Sequence, residues 1–307
     1  LSRKTVFFAL SLVVIVGGFA VMGVNKSSKG SALNYSLEFV GGTSTNVVFN
    51  EDMTIEDIDT KVVPYIEAVT GDGNVQTQKV AGTNEVIFKT RTLTVEEREQ
   101  FKDAMVSNFS VDAEKIIAET ISSTISKEMQ SDAFVAILIA TACMLVYIWF
   151  RFKDIRFGAS AVAALVHDVL VVLAFYAVAR VSVSSTFIAC MLTIVGYSIN
   201  ATIVIFDRIR ENMALMGKKD DLREMVNRSI SQTLSRSIFT SLTTFFMVAS
   251  LYVFGVTSIR EFALPLMVGI ICGTYSSVCI TGALWYVLRT KIVKKDADGS
   301  SGRKNRK

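Results

Sequence analysis

Charged residues are scarce in this sequence, and the motifs of several enzyme classes are missing. Of the 307 residues, 20% are charged and 51% are hydrophobic, which is more apolar content than one soluble core uses. The sequence has no phosphate-binding loop, no His-Glu-x-x-His motif and no Gly-x-Ser-x-Gly nucleophile turn. These absences argue against an ATP-driven or hydrolytic enzyme. We therefore expect no catalytic residues and no cofactor.

The four cysteines lack the spacing of metal ligands. They all fall within apolar stretches, at Cys143, Cys190, Cys272 and Cys279. We interpret them as small apolar packing residues and predict no metal site.

Long apolar stretches dominate the sequence instead. Six of them carry at most one charged residue over about 20 residues, the length that a helix needs to cross a bilayer. They are residues 5–24, 133–150, 157–179, 183–206, 238–256 and 262–288. The first follows Arg3 and Lys4 as a signal peptide would, but it is too long for one and no small-residue cleavage site follows. We predict a multi-pass α-helical membrane protein with six transmembrane helices.

Basic residues cluster on one side of the predicted membrane. Lys and Arg crowd the N-terminus, residues 151–156, residues 207–228 and the chain from Arg289, whereas two loops on the other side carry only Arg180 and Arg260. By the positive-inside rule, both termini are cytoplasmic and the loop 25–131 is extracytoplasmic.

The two segments outside the membrane have opposite charge. The loop 25–131 holds more acidic than basic residues, which argues against a nucleic-acid ligand. Residues 290–307 are predicted to be a disordered basic tail that fixes topology. Contact of this tail with anionic lipid or a ribosome is the alternative.

The loop 25–131 predicts a small α+β domain, because its apolar period alternates between about 2 and about 3.6 residues. Thr54 and Thr94 are expected to cap helices that end near residues 69 and 108, and Pro64 should bend the first helix. Strands are predicted at residues 35–40, 43–49, 75–80, 85–90 and 113–119. This order indicates a ferredoxin-like βαββαβ domain, with no convergent residues for an enzyme site.

Two ionisable residues lie deep within a predicted span. Counting from Phe157, Asp168 lies roughly 16 Å into the hydrocarbon core, beside His167. Ionisable groups at such depth are costly and mark functional sites by default. Two interpretations stay open: a hydrogen-bonded pair that holds helices together, or a place on an ion or proton path.

Polar residues also mark the fourth and fifth spans. The fourth contains a patch of small and polar residues that would let helices approach and hydrogen-bond, and Arg236 precedes polar residues that enter the fifth. The patch includes Gly196, Tyr197, Asn200 and Thr202. Neither Asp168 nor Asp207 follows Gly-x-Gly, which argues against an aspartyl protease.

A charged segment follows the fourth span within the remaining membrane domain, residues 132–289. Asp207, Arg208 and Arg210 read as a solvated cluster at the cytoplasmic boundary. The segment 207–235 is predicted to be amphipathic at the membrane surface.

These residues together resemble the SecF family. The resemblance is carried by VGYSIN (195–200) with IFDRIREN (205–212), LSRSI (234–238) and IREFAL (259–264), and by Gly41, Gly42 and Thr43 at the entry to the outer domain. It implies a resistance-nodulation-division fold in the bacterial inner membrane and a SecD-like partner. It further implies assistance to SecYEG and SecA during preprotein export, with the proton motive force, and contact with a YidC-type insertase.

One departure from the family pattern affects the implied mechanism. The family has Asp directly after the Asn of its fourth-span signature, and here that position is Ala201. Arg236 would lack this carboxylate and needs another partner or the interface, since a buried unpaired guanidinium is costly. Proton coupling is then expected to use the partner's carboxylate, with His167 and Asp168 from this chain. A non-coupling scaffold and a small-molecule exporter of the same superfamily remain alternatives.

Overall fold

The chain forms two compact units. The computed structural model describes residues 1, 3–73, 75–80, 82–151, 154–217 and 220–290. Tyr35–Phe134 form one unit, here called the α/β unit, and the rest of the described chain forms the other, here called the membrane unit. The predicted basic tail lies outside the described residues, apart from Thr290 at a helix end.

Six described helices are long and apolar enough to cross a membrane, as the sequence predicts. The first five spans are Lys4–Lys29, Ser123–Arg151, Ile155–Ala179, Ser185–Ala214 and Leu222–Phe254. The sixth span begins as Thr257–Tyr275, becomes π-helical over Ser276–Thr281 and continues as α-helix through Thr290. Two-residue strands lie at Asn34–Tyr35 and Ser182–Val183. The chain is a multi-pass helical membrane protein.

Several helices extend beyond the apolar stretches. The second starts at Ser123 rather than residue 133, and the fifth at Leu222 rather than residue 238. The added helical turns are polar, so an apolar stretch does not reveal them. A capping side chain can still start such a helix: the Asp221 carboxylate accepts a bond from the Arg223 backbone N–H at 3.0 Å. The helical parts of residues 207–235 therefore belong to the ends of the fourth and fifth spans. That this segment is amphipathic at the membrane surface stays a prediction.

The sixth span packs against the third, fourth and fifth, and the first packs against the third. The first and third approach closely, because a Cβ placed on Gly18 would lie 2.1 Å from the Cβ of Ala174. Two apolar clusters fill the membrane unit. One surrounds Tyr176 and Ile194, and the other contains Phe157, whose ring stacks on that of Trp285, together with Phe206.

The α/β unit contains a four-stranded antiparallel sheet. Its strands are β1 (Gly42–Val48), β2 (Gln76–Lys79), β3 (Glu85–Thr90) and β4 (Ile117–Ile121), in the spatial order β2-β3-β1-β4. In the central pair, Thr43 lies opposite Thr90 and Val47 opposite Val86. The observed order of main elements is strand, helix, strand, strand, helix, strand.

Two helices cover one face of this sheet. The first comprises Ile55–Asp57, a π-helical part Ile58–Val62 before Pro64, and Val63–Thr70, and the second is Val95–Phe109. Thr54 caps the first through the Asp57 backbone N–H at 3.1 Å. Thr94 and Glu97 form a reciprocal capping box at the second. The core between helices and sheet contains Ile58, Ile66, Phe88, Phe101 and Met105.

Two strand predictions in this unit are wrong. Residues 37–40 form a short helix, Leu37–Val40, because distant side chains use its carbonyls: Ser126 donates to the Leu37 carbonyl at 3.1 Å and Gln130 donates to that of Phe39. The expected strand at 113–119 starts later, because Asp112 caps a 3₁₀ turn, Ala113–Lys115, by accepting from the Glu114 N–H at 3.1 Å.

Candidate functional site

The membrane unit buries the carboxylate of Asp168 among its helices. Asp168 lies on the third span and is 0% exposed. Along that helix it stands between Leu165 and Val172, which belong to the two different apolar clusters. A carboxylate in such surroundings is very costly unless hydrogen bonds replace its lost water.

Four side chains supply those hydrogen bonds. The hydroxyls of Ser198 and Ser276 donate to Asp168 Oδ2 at 2.5 and 2.8 Å. The Cys272 thiol donates to Oδ1 at 3.3 Å. His167 Nδ1 lies 2.9 Å from the same oxygen, which fits the tautomer with its proton on Nδ1. Since the four groups come from the third, fourth and sixth spans, Asp168 joins three helices.

A π-helical turn in the sixth span directs serines at this site. Ser276 and Ser277 begin that turn. The Ser277 hydroxyl donates to the Gly273 carbonyl at 2.7 Å, whereas the Ser276 hydroxyl directs its single proton to Asp168 and lies 3.2 Å from the same carbonyl. A Cβ on Gly273 would lie 3.2 Å from the Cβ of Ser198, so glycine lets the fourth and sixth spans approach here. π-turns are frequent at functional sites.

His167 keeps one ring nitrogen free of hydrogen bonds within the described chain. Its Nε2 is buried and has no partner there. The ring centroid lies 6.1 Å from that of Tyr275, whose hydroxyl donates to the Phe7 carbonyl on the first span at 2.9 Å. An imidazole bonded through Nδ1 and free at Nε2 can gain or release a proton at Nε2.

Buried hydroxyls continue from Asp168 between the fourth and sixth spans. Thr202 Oγ1 lies 3.2 Å from Ser277 Oγ, and Thr281 donates to the Ser276 carbonyl at 3.1 Å. All three hydroxyl-bearing residues are at most 1% exposed. Because Thr202 stands between Ser198 and Asp207 on the same helix, this row leads toward the Asp207 end of the fourth span.

His167, Asp168 and Cys272 also offer three kinds of metal ligand. Their ligand atoms lie within 4.8 Å of one another. The interpretation of Cys272 as only a packing residue is corrected here, because its thiol bonds to Asp168. No spacing motif could have revealed this contact, since the two residues meet only through packing of the sixth span on the third. The absence of a metal site remains a prediction.

Arg236, Asn200 and Ala201 lie apart from Asp168, between the fourth and fifth spans. With Tyr197 they line a cavity of about 60 Å³. Arg236 and Asn200 are exposed in this chain, whereas Thr202 is buried toward the sixth span. The polar patch of the fourth span is thus divided between two faces. Gly196 makes no close helix contact, because a Cβ there would meet no atom within 4 Å.

Ion pairs hold the charged end of the fourth span. Asp207 pairs with Arg151 and lies 3.6 Å from Arg210. Arg208 donates to Glu211 and to Gln232, both at 2.7 Å. These groups are partly exposed and tie the fourth span to the second and fifth.

Gly41, Gly42 and Thr43 shape the start of β1 in the α/β unit. The φ angles of Gly41 and Gly42 are 75° and 114°, which residues with side chains rarely adopt. A Cβ on Gly42 would lie 2.3 Å from the Thr90 carbonyl oxygen. Thr43 Oγ1 accepts a bond from the Leu93 N–H at 2.9 Å. These residues set the path of the backbone into the sheet.

Comparison with known proteins connects this architecture to a family. Residues 100–291 match the family model described as protein export membrane protein SecD/SecF, C-terminal. The chain is 33% identical over 299 residues to the protein translocase subunit SecF of Desulfurispirillum indicum. The alignment covers 95% of this chain and 91% of that protein. The chain belongs to the SecD/SecF family.

Longer members of the SecD/SecF family are similar as well. The protein translocase subunit SecDF of Bacillus subtilis is 33% identical, over 96% of this chain and 39% of that protein. The crystal structure of SecDF from Thermus thermophilus matches with a TM-score of 0.77 and 32% identity, over 94% of this chain and 38% of that one. The chain thus spans well under half of these SecDF relatives and nearly all of the SecF relative. It is a SecF-like protein-export subunit.

Proposed function

We propose that this chain acts with a SecD-like subunit in preprotein export, and that Asp168 and His167 lie on a path by which the proton motive force drives that work. The observation that carries the proposal is the buried Asp168 carboxylate with four donors from three spans. Intramembrane Asp, Glu and His side chains form proton relays in pumps and transporters, and histidine can serve as a proton shuttle.

The row of hydroxyls supports a path rather than an isolated pair. A pair that only joins helices needs no continuation, yet Ser277 and Thr202 extend the polar contacts along the fourth span. The other ring nitrogen of His167, Nε2, has no hydrogen-bond partner in the described chain. It could therefore exchange a proton with a group other than Asp168. Apolar clusters on both sides limit other routes for water.

Two features support a SecD-like partner in the membrane. The second span is buried over only 6% of its most apolar window, and the fourth and fifth spans leave Asn200, Arg236 and Thr240 exposed. Polar side chains on a span face are favourable when another helix covers them. The SecDF relatives are much longer than this chain, and we assign part of the extra length to that covering half.

The same proposal places the chain in the bacterial cytoplasmic membrane, with both termini cytoplasmic and the α/β unit outside, as charge distribution favours. Antiparallel order and two covering helices support a ferredoxin-like class for that unit. Because the Thermus thermophilus relative is described as translocon-associated, we propose SecYEG and SecA as partners, with a YidC-type insertase, the preprotein and the lipid bilayer. The chain performs no catalysis of its own.

Export of a secreted preprotein in cells tests this function. In cells that depend on this chain, Asp168→Asn should cause precursor to accumulate, because the amide keeps the size of the side chain but cannot ionise. Asp207→Asn is the matched control, since Asp207 lies among ion pairs at the span end. Unchanged export in Asp168→Asn would favour the scaffold role, which the bonds between three spans also fit.

A further inference from the structure

Three hydroxyls join the fourth, fifth and sixth spans beside the donors of the Asp168 site. Tyr197 on the fourth span donates to Ser241 Oγ on the fifth at 2.9 Å. The same oxygen lies 2.6 Å from Thr274 Oγ1 on the sixth. Ser241, at the centre, is 8% exposed. Tyr197, Ser241 and Thr274 are here called the hydroxyl bridge.

The hydroxyl bridge uses the same short stretches of helix as two donors to Asp168. Tyr197 directly precedes Ser198 on the fourth span, and Thr274 lies two residues before Ser276 on the sixth. Ser198 and Ser276 both donate to Asp168 Oδ2, at 2.5 and 2.8 Å. Among the four described side chains that bond to this carboxylate, none belongs to the fifth span. An effect of the fifth span on the carboxylate must therefore pass through its neighbours.

A second hydroxyl contact lies on the other side of these donors. Thr202 Oγ1 lies 3.2 Å from Ser277 Oγ, again between the fourth and sixth spans. Along both spans, Ser198 and Ser276 therefore stand between the hydroxyl bridge and this contact. Apolar packing is non-directional and does not by itself fix how far one helix is displaced along another. Hydrogen bonds do, because they depend on distance and angle.

The bonds to Asp168 leave little room for such a displacement. A hydrogen bond between two oxygens has a length of about 2.5–3.0 Å, so the two serine bonds tolerate shifts of only a few tenths of an ångström. A helix rises about 1.5 Å per residue. A displacement of the fourth span against the sixth by less than one residue would therefore separate at least one serine from Oδ2.

We propose that Ser241 is a positioning residue for the Asp168 site. By holding Tyr197 and Thr274, it keeps the fourth and sixth spans in the register at which both serine donors reach the same carboxylate oxygen. Without its hydroxyl, both neighbours lose a partner and the register is held on one side only. The proposal concerns hydrogen bonding at Asp168, and it bears on proton movement only through the function proposed above.

A double-mutant cycle on the purified full chain tests this role. Ser241→Ala is made in the unaltered protein and in Asp168→Asn, and the midpoints of thermal unfolding are compared. A hydrogen bond to a charged group contributes about twice as much as one between neutral groups. Ser241→Ala should therefore lower the midpoint by about 3–6 °C in the unaltered protein and by about half as much in Asp168→Asn. Ser250→Ala is the matched control, because its hydroxyl donates only within the fifth span, and it should change both midpoints by less than about 1 °C.

Ser276→Ala supplies a second background, which retains the test should Asp168→Asn fail to fold. Once this donor is absent, Ser241 has one donor fewer to position. Ser241→Ala should then lower the midpoint by less than it does in the unaltered protein, whereas independent sites give additive losses. Tyr197→Phe removes one bond of the hydroxyl bridge and should show the same dependence on background.

The outcomes separate positioning from a merely structural contact. Losses on Ser241→Ala that are equal in all three backgrounds, or larger in the two variants, would show that the hydroxyl bridge only joins helices and would overturn the proposal. The cycle measures unfolding rather than transport, so its result is distinct from that of the proposed function. Unchanged export in Asp168→Asn, together with a smaller loss in that background, would reject the proton path and support Ser241 as a positioning residue.

Discussion

At the scale of single residues, the donors around Asp168 determine whether its carboxylate can remain buried. Ser276→Ala removes the hydroxyl that donates to Oδ2 at 2.8 Å. We expect the membrane unit to lose about 1.5–3 kcal/mol of stability, the usual contribution of a hydrogen bond to a charged group. Denaturant titration of the purified chain, followed by tryptophan fluorescence, measures this loss.

Ser250→Ala is the control for that substitution. Its hydroxyl donates only to the Met247 carbonyl on an exposed face, so its removal should change stability by less than about 0.5 kcal/mol. Equal effects of the two variants would mean that the Asp168 contact does not solvate a charge.

The centre of this site could be predicted from the sequence, but its surroundings could not. Asp168 and His167 are recognisable because an ionisable group inside an apolar stretch is rare. Cys272 and Ser276 look like ordinary small residues of a span. Their role depends on the packing of the sixth span on the third and on a π-helical turn. Neither feature changes the spacing of apolar residues in the sequence, so the sequence pattern could not predict it.

At the scale of elements, the contact between the first and third spans depends on one glycine. A Cβ on Gly18 would lie 2.1 Å from the Cβ of Ala174, whereas one on Gly17 would meet no atom within 4 Å. Gly18→Val should therefore force the helices apart and cost about 1–3 kcal/mol. Gly17→Val should have little effect. Thermal unfolding of both purified variants compares them, and equal midpoints would argue against this packing.

The second helix of the α/β unit should make its stability depend on pH. The Arg91 guanidinium and the N–H of Thr94 bond to Glu97 and hold the pKa of its carboxyl below its usual range. A lowered pKa stabilises the fold fully above about pH 4.5, and this stabilisation disappears as the pH falls through the lower folded-state value. Asp57, bonded to Lys61, has a lowered pKa and the same sign.

Urea unfolding of residues 35–134, made as a separate protein, tests this dependence. The midpoint should fall between pH 6 and pH 3, and Glu97→Gln should make it less dependent on pH. Glu99→Gln, on the same helix, is the control. An unchanged slope in Glu97→Gln would contradict the assignment to this carboxyl.

Local signals predicted most elements of this unit because they act over a few residues. Thr54 and Thr94 begin helices as their capping patterns predict, and β2 and β3 lie within the strands predicted at residues 75–80 and 85–90. Residues 37–40 became a helix because side chains of Ser126 and Gln130, far along the chain, bond to its carbonyls. Sequence periodicity cannot include such a contact.

At the scale of the whole molecule, the α/β unit should fold without the membrane unit. It has its own core, with Val47, Ile58, Phe88 and Phe101 at most 1% exposed, and its sheet is complete within it. Residues 35–134 expressed alone should be soluble and show slowly exchanging amides in β1 and β3. Rapid exchange throughout would contradict an independent core.

The membrane unit, in contrast, should not work alone. Helices of the described chain leave most of its second span and the polar faces of its fourth and fifth spans uncovered, and we propose that it acts together with a SecD-like subunit. Membership of the SecD/SecF family shows that the chain is a SecF-like protein-export subunit. Whether this chain moves protons within it depends on Asp168.

Proton flux into sealed vesicles that contain the chain and its SecD-like partner tests this directly. With a pH gradient imposed, we predict uptake that Asp168→Asn reduces to the level of empty vesicles, while Asp207→Asn retains it. Equal flux in Asp168→Asn and the unaltered protein would contradict the proton path and leave this chain as a structural scaffold.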